Sequence, residues 1–179
     1  MWVEFGKPLM DRDLKTEIIE LLNEHRTMTI ATKRRDGWPH ATIVSYANEG
    51  LVLLCILGRN TQKYLNIMRD PRVSVTIGED CAEPRQYKAL SLGGRATISE
   101  AHSEIDRVRE IVLSRHPYYK DILPPDPTRI AALSLTAEFV SIIDYSKGIG
   151  HSDLVQVAQD DRVEFVESYR HHWAGLHAL

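Results

Sequence analysis

The sequence is poor in residues that staple, target or anchor a chain. Only two cysteines, Cys55 and Cys81, occur in 179 residues, and neither has a CxxC or Cys/His spacing, which excludes a disulfide framework and a zinc motif. No apolar run approaches the roughly 18 to 20 residues that span a bilayer. Met1 to Lys15 mixes charges with single hydrophobes, unlike a secretory leader. The expectation is a cytoplasmic protein with no membrane partner. Basic blocks are equally scarce: the net charge is −3, and the densest cluster, Lys33-Arg34-Arg35, is broken by Asp36, which argues against a nucleic-acid partner. Without a long linker, repeat or low-complexity tract, the chain reads as a single domain, with a core over about residues 14–146 and an extension over 147–179.

What is present is a change of period. Leu14, Ile18, Leu21 and Leu22 recur at helical spacing, with Asp11, Asp13 and Glu17 near the positive end of the helix dipole. Alternation then takes over in Met28 to Lys33 and His40 to Tyr46, with a turn at Arg35-Asp36-Gly37, the pattern of a β-hairpin. Leu51 to Leu57 is continuously apolar, as in a central strand buried on both faces. After Gly58, Asn60 or Thr61 can cap a short helix in which Tyr64, Leu65 and Met68 share a face, until Asp70-Pro71 stops it. Arg72 to Ile77 alternates, and Tyr87 to Ser99 is a long strand with a bulge or close approach at Gly93-Gly94. Ile105, Val108 and Val112 mark a helix ending near His116-Pro117, Pro124 to Pro127 an exposed turn, and Leu135 to Tyr145 the last strong strand. Val163, Val166, Tyr169, Trp173 and Leu176, at spacings of three or four, predict a terminal helix. The fold class is mainly β (α+β), a six-stranded antiparallel Greek-key split barrel with flanking helices.

Most candidate chemistry reduces to ordinary structure. Gly148-Ile149-Gly150 lacks the third glycine of a dinucleotide fingerprint and reads as a turn. Glu167, His171, His172 and His177 follow no ligand motif, so no metal is assigned. Ser91, Ser99 or Ser103 with His102 and Asp106 lack a GxSxG elbow. The informative stretch is Gly58-Arg59-Asn60-Thr61-Gln62-Lys63, where a buried strand ends and a helix starts with cations instead of acids. A lysine there opposes the macrodipole, at a cost of about 0.3–1 kcal/mol unless an anion is present. Backbone N–H groups, a Thr hydroxyl and an ammonium would together cradle a phosphate. An ordinary capped helix with a solvated lysine fits the same residues, and on these residues alone it is the better reading.

The order of these elements resembles the pyridoxamine 5′-phosphate oxidase-like FMN-binding split-barrel family. The matching stretches are Thr29 to Thr32, Asp36-Gly37-Trp38-Pro39-His40-Ala41, Thr61-Gln62-Lys63, Asp70-Pro71-Arg72-Val73-Ser74 and Gly94-Arg95-Ala96-Thr97. The resemblance implies a homodimer with FMN at the subunit interface and its phosphate on Thr61 and Lys63, with Gln62 between them. It also implies backbone contacts from Thr42, Ile43 and Val44 to the flavin ring, with Cys55 and Ile56 beneath it and Gln86 at its polar edge. Lys147, in the tract Tyr145 to Gly148, would come from the second subunit. The family's oxidase carries cations on its second strand, which Thr42 to Tyr46 lacks, so the phosphate would rest on Lys63 with Arg59 or Lys88. Arg170-His171-His172-Trp173 does not reproduce the oxidase's Arg-rich end, so pyridoxamine phosphate oxidation is not expected. An FMN-dependent oxidoreductase of unknown small-molecule substrate is the expectation, in which the flavin does the chemistry and no catalytic side chain is nominated. The alternatives are a haem-binding barrel, using His151 or His171-His172, and a deazaflavin reductase, whose acidic tail would need a more basic groove.

Overall fold

The computed structural model describes residues 14–124, 126–158 and 161–170. Helix α1 (Leu14–Glu24) buries Ile18, Leu21 and Leu22 and leads into β1 (Thr27–Lys33), β2 (Pro39–Ser45), β3 (Ala47–Glu49) and β4 (Val52–Gly58). Helix α2 (Gln62–Arg69), β5 (Arg72–Ile77), β6 (Lys88–Ser99), α3 (His102–Arg115), β7 (Ile130–Asp144), β8 (His151–Val157) and β9 (Val163–Arg170) follow. None of the described helices is long and apolar enough to cross a membrane.

All the strand pairs are antiparallel, in the order β2-β1-β5-β6-β7-β4-β3, and the path ends on the strand where it began. β2 and β3 are halves of one strand bent at Tyr46: the first half pairs with β1, with Ser45 opposite Thr27, and the second with β4, with Ala47 opposite Leu54. Counted as one, they give the sheet the six staves of a barrel; counted separately, the seven strands of this path and the β8–β9 hairpin make nine. Tyr46 is wholly buried at the bend, and its hydroxyl donates to the Leu22 carbonyl at 2.7 Å.

Two apolar cores explain the strand patterns. Inside the barrel, Met28, Ile30, Leu53, Cys55, Leu57, Val75, Leu90, Leu133 and Ile142 pack together, closed at one end by α1. Outside, Ile105, Val108 and Val112 of α3 cover Ala47, Leu54 and Ala132. β4 is therefore buried on both faces although it lies beside the end of the path, because a helix takes the place of a second sheet. The register shift at Gly93/Gly94 is the expected bulge.

Three expectations need correction. Residues 161–170 continue as strand β9 where a helix was expected; Trp173 and Leu176 lie outside the described residues. The register of β9 shifts at Leu154/Val155, with Leu154 opposite Glu167 and Val155 opposite Phe165, so Val166 is an unpaired extra residue. That bulge breaks the alternation and leaves apolar residues at helical spacing. Secondly, α2 buries Tyr64, Asn66 and Ile67, while Leu65 and Met68 face outward at 53% and 60% exposure. Thirdly, β7 starts five residues before Leu135, because its first half pairs with β4 and its second with β8, while β6 runs along its whole other edge.

Candidate functional site

The barrel is split where β2 and β4 part. β7 holds one edge of β4 from Leu53 to Gly58, but β3 holds the other only over Val52 to Leu54, so from Cys55 onward that edge has no strand beside it among the described residues. β2 likewise pairs with β1 along one edge, and among the described residues its other edge carries no strand. From the bend at Tyr46 the edge of β2 runs to Pro39 at the hairpin turn, and the edge of β4 runs to Gly58, just before α2. Their backbone N–H and C=O groups need partners from outside the sheet. On β2, Ala41 and Ile43 face outward, Ile43 being 73% exposed, while His40, Thr42 and Val44 are half-buried opposite Thr32, Ile30 and Met28 of β1. His40 Nδ1 and Thr42 Oγ1 are closed off from solvent with no hydrogen-bond partner among the described residues, an unusual state for polar atoms.

At the α2 end, Thr61 is the N-cap: its Oγ1 accepts from the Tyr64 N–H at 3.4 Å and donates to the Gly58 carbonyl at 2.8 Å. The hydroxyl is thus occupied by the cap, which leaves the first-turn N–H groups of Gln62 and Lys63 for an anion. Lys63 is half-buried and has no hydrogen bond or ion pair among the described residues. Its charge reaches Cys55 inside the barrel, where burial pushes the thiol up to about 12 against the opposing pull of Lys63. Gln62 donates to Asn66 Oδ1 at 2.8 Å. Arg59 is already engaged: its Nε donates to the Ile130 carbonyl at 2.8 Å, and its Nη1 lies 3.2 Å from Glu100 Oε2, while the Tyr64 hydroxyl donates to Glu100 Oε1.

The expected site residues thus fall into separate places. Thr42, Ile43, Val44, Thr61, Gln62 and Lys63 border the split. Cys55 lies in the barrel interior, and Ile56 packs on the opposite face of β4, against the α3 cluster. Gln86 is exposed on a short 3-10 turn, Lys88 Nζ is 3.7 Å from Asp144 Oδ2, and Lys147 Nζ is 2.5 Å from Asp153 Oδ2. Gly58 pairs with Ile130 at one end of β7, and Lys88 with Asp144 at the other. At about 3.3 Å per residue, these ends are separated by roughly 45 Å along the strand.

Sequence reasoning missed the stretch after α3, whose described parts, 117–124 and 126–129, reach both ends of the split. The Tyr119 hydroxyl is 2.7 Å from Ser45 Oγ at the β2 end. Pro124, Thr128 and Arg129 line a cavity of about 380 Å³ with Gly58, Arg59 and Asn60 at the other end. His116 fixes this segment: its wholly buried ring contacts the Tyr46 carbonyl through Nε2 at 2.7 Å and the Tyr118 hydroxyl through Nδ1 at 2.9 Å. A carbonyl only accepts, so Nε2 carries a proton. The aromatic tract His116-Pro117-Tyr118-Tyr119 was the available signal. His151 Nε2 is 3.0 Å from Asp153 Oδ1; His171, His172 and His177 lie outside the described residues. No three His, Cys, Asp or Glu among the described residues gather as a metal set.

Residues 14–142 match the family model described as pyridoxamine 5′-phosphate oxidase. General stress protein 26 of Bacillus subtilis is 25% identical over 104 residues, which cover 58% of this chain and 73% of that protein. The conserved hypothetical protein Rv2991 of Mycobacterium tuberculosis superposes with a TM-score of 0.67 at 26% identity, over 79% of this chain and 91% of its own. A pyridoxamine 5′-phosphate oxidase-related, FMN-binding protein of Nostoc punctiforme shares the fold, with a TM-score of 0.65 at 16% identity, over 92% of this chain and all of its own. The likeness of fold extends to the haem storage protein HutZ of Vibrio cholerae and to an F420 reductase, with TM-scores of 0.60 and 0.55 at 21% and 23% identity. With its split barrel and a family model matched over most of its length, this chain belongs to the pyridoxamine 5′-phosphate oxidase-like family.

Proposed function

We propose that the split holds a flavin by its phosphate, with FMN the smallest flavin that carries one, and that the protein is an oxidoreductase acting on a small molecule in the cytoplasm. The observation that carries this reading is Lys63, a half-buried cation without a partner among the described residues, at a helix start whose first N–H groups have none among them either. The free edge of β2 supplies the backbone N–H and C=O groups that a ring system in the split would need. The flavin supplies hydride exchange. The chain's part is to hold the phosphate at Lys63, orient the ring along β2 and exclude water with residues 117–124 and 126–129.

A homodimer belongs to this reading. Lys88 and Lys147 sit at the far end of β7 from Lys63, so a ligand touching both groups takes them from two copies of the chain. Trp38, Ile43, Leu65 and Met68 are large apolar side chains that one chain leaves exposed and a second copy would cover. The purified protein is expected to be yellow and to release FMN on denaturation, and Lys63→Ala to weaken FMN binding at least tenfold. A colourless protein that takes up no added FMN would overturn the reading, as would a monomer in light scattering for the dimer.

A second reading has its own observation. The Asp153 carboxylate contacts His151 Nε2, an arrangement by which a carboxylate orients a ligating imidazole through its other nitrogen. A Soret band on haem titration that disappears in His151→Ala would favour haem over flavin.

A further inference from the structure

The hairpin turn between β1 and β2 lies beside the start of α2. Arg34, Arg35, Asp36 and Gln62 line a cavity of about 430 Å³ there. We propose that this cavity is a second anion subsite, taking a further phosphate or carboxylate on the tail of the ligand whose first phosphate sits at Lys63; the inference rests on the flavin reading above.

Three observations carry it. The first is charge. One phosphate monoester carries roughly −1.5 to −2, which Lys63 and the N-terminal end of the α2 dipole go far to match, so the two arginines exceed that need. Arg34 Nη2 is 2.9 Å from Asp36 Oδ2, while Arg35 has no hydrogen bond or ion pair among the described residues. Asp70, the acid that closes α2, is bound at 2.8 and 2.6 Å by both arms of Arg72. In a chain of net charge −3, a cavity with two guanidinium groups against one carboxylate is a local exception.

The second observation is rigidity. The turn is closed by Arg34 N–H to the Trp38 carbonyl at 2.9 Å, Gly37 N–H to the Arg34 carbonyl at 3.0 Å, and Trp38 N–H to Asp36 Oδ1 at 3.2 Å. The third is linkage to the first phosphate position. Gln62 donates to Asn66 Oδ1, Asn66 to Thr32 Oγ1, and Thr32 to the His40 carbonyl, which fixes α2 against the hairpin. Arg69 also donates to the Lys33 carbonyl at 2.8 Å. The backbone that carries Arg34 and Arg35 is therefore held beside the helix start, so binding orders only the side chains.

A second phosphate, as in a flavin dinucleotide, and a chain of carboxylates, as on a deazaflavin tail, share this chemistry, and titration separates them. FMN, FAD and coenzyme F420 are titrated into the unaltered protein and into an Arg34→Gln/Arg35→Gln double variant, whose changes lie on an exposed turn. The expected result is about a tenfold loss for FAD or F420, whichever is the tailed ligand, and less than a threefold loss for FMN. An equal loss for FMN would overturn the proposal and assign the arginines to the first phosphate. Unchanged affinity for both tailed ligands, or failure of the unaltered protein to bind either while it binds FMN, would also overturn it. If the unaltered protein binds none of the three, the flavin reading itself falls.

Discussion

Asn66 Nδ2 donates to Thr32 Oγ1 at 3.0 Å with both residues buried, joining a helix that borders the candidate site to the hairpin that forms its other side. Asn66→Ala leaves the Thr32 hydroxyl without its donor and frees Gln62. Unfolding in urea is expected to show a loss of about 1–3 kcal/mol. Flavin affinity should fall as well, although Asn66 is placed to touch no ligand. Unchanged affinity would show that α2 needs no such tether.

The paired glycines of β6 differ in what they face. A Cβ on Gly94 would lie 2.1 Å from the Thr136 carbonyl oxygen, against backbone that cannot yield, whereas one on Gly93 would meet the ring of Phe139, which is half exposed and can swing away. Gly94→Ala is expected to cost about 1–3 kcal/mol and Gly93→Ala clearly less. Equal losses in chemical denaturation would contradict this assignment.

The two thiols should separate cleanly. Burial in the barrel keeps Cys55 protonated, with its pKa pushed up to about 12, while Cys81 is only half-buried on a polar loop. An aromatic disulfide reagent is expected to label one thiol per native chain and two in urea. Rapid labelling of Cys55 in the native protein would mean that the barrel opens at the split.

Asp153 gives the β8–β9 hairpin a pH dependence. Burial acts to raise its pKa, but hydrogen bonds from Lys147 and Ser168 and the charges of Lys147 and His151 outweigh burial and hold the carboxyl below its ordinary value. A carboxyl depressed on folding contributes stability above its unfolded pKa, about 3.9, and loses it as pH falls through the folded value. Asp153→Asn should therefore cost about 1–3 kcal/mol near neutrality. The gap from the unaltered protein should close below about pH 4. A constant gap across that range would argue that packing, not charge, is what the substitution removes.

Local chemistry made most of the fold readable. Thr61 as cap, Asp70-Pro71 as stop, Gly93-Gly94 as bulge and the hairpin turn at Arg35-Asp36-Gly37 each act within a few residues of themselves, and sequence displays such effects directly. The bend at Tyr46 and the sharing of one β7 edge between β4 and β8 are pairings of distant segments, to which no local residue points. β9 misled because its bulge at Val166 imitates a helical period. At the site, Lys63 was visible as a cation in the wrong place for a helix dipole. The engagement of Arg59 with Glu100, and the nearness of Arg34 and Arg35 to Gln62, depend on tertiary contacts and could be found only in three dimensions.

The unclosed seam between β2 and β4 also couples occupancy to folding. The free edges of Pro39–Ser45 and Cys55–Gly58 take their hydrogen bonds from water or from whatever fills the gap, so a ligand there acts as a surrogate stave. A molecule that binds this folded seam and not the unfolded chain stabilises it by RT ln(1 + L/Kd) at free ligand concentration L, so the melting temperature rises with ligand concentration. Thermal shift across a panel of anionic heterocycles thus screens for the native ligand without any assay of turnover.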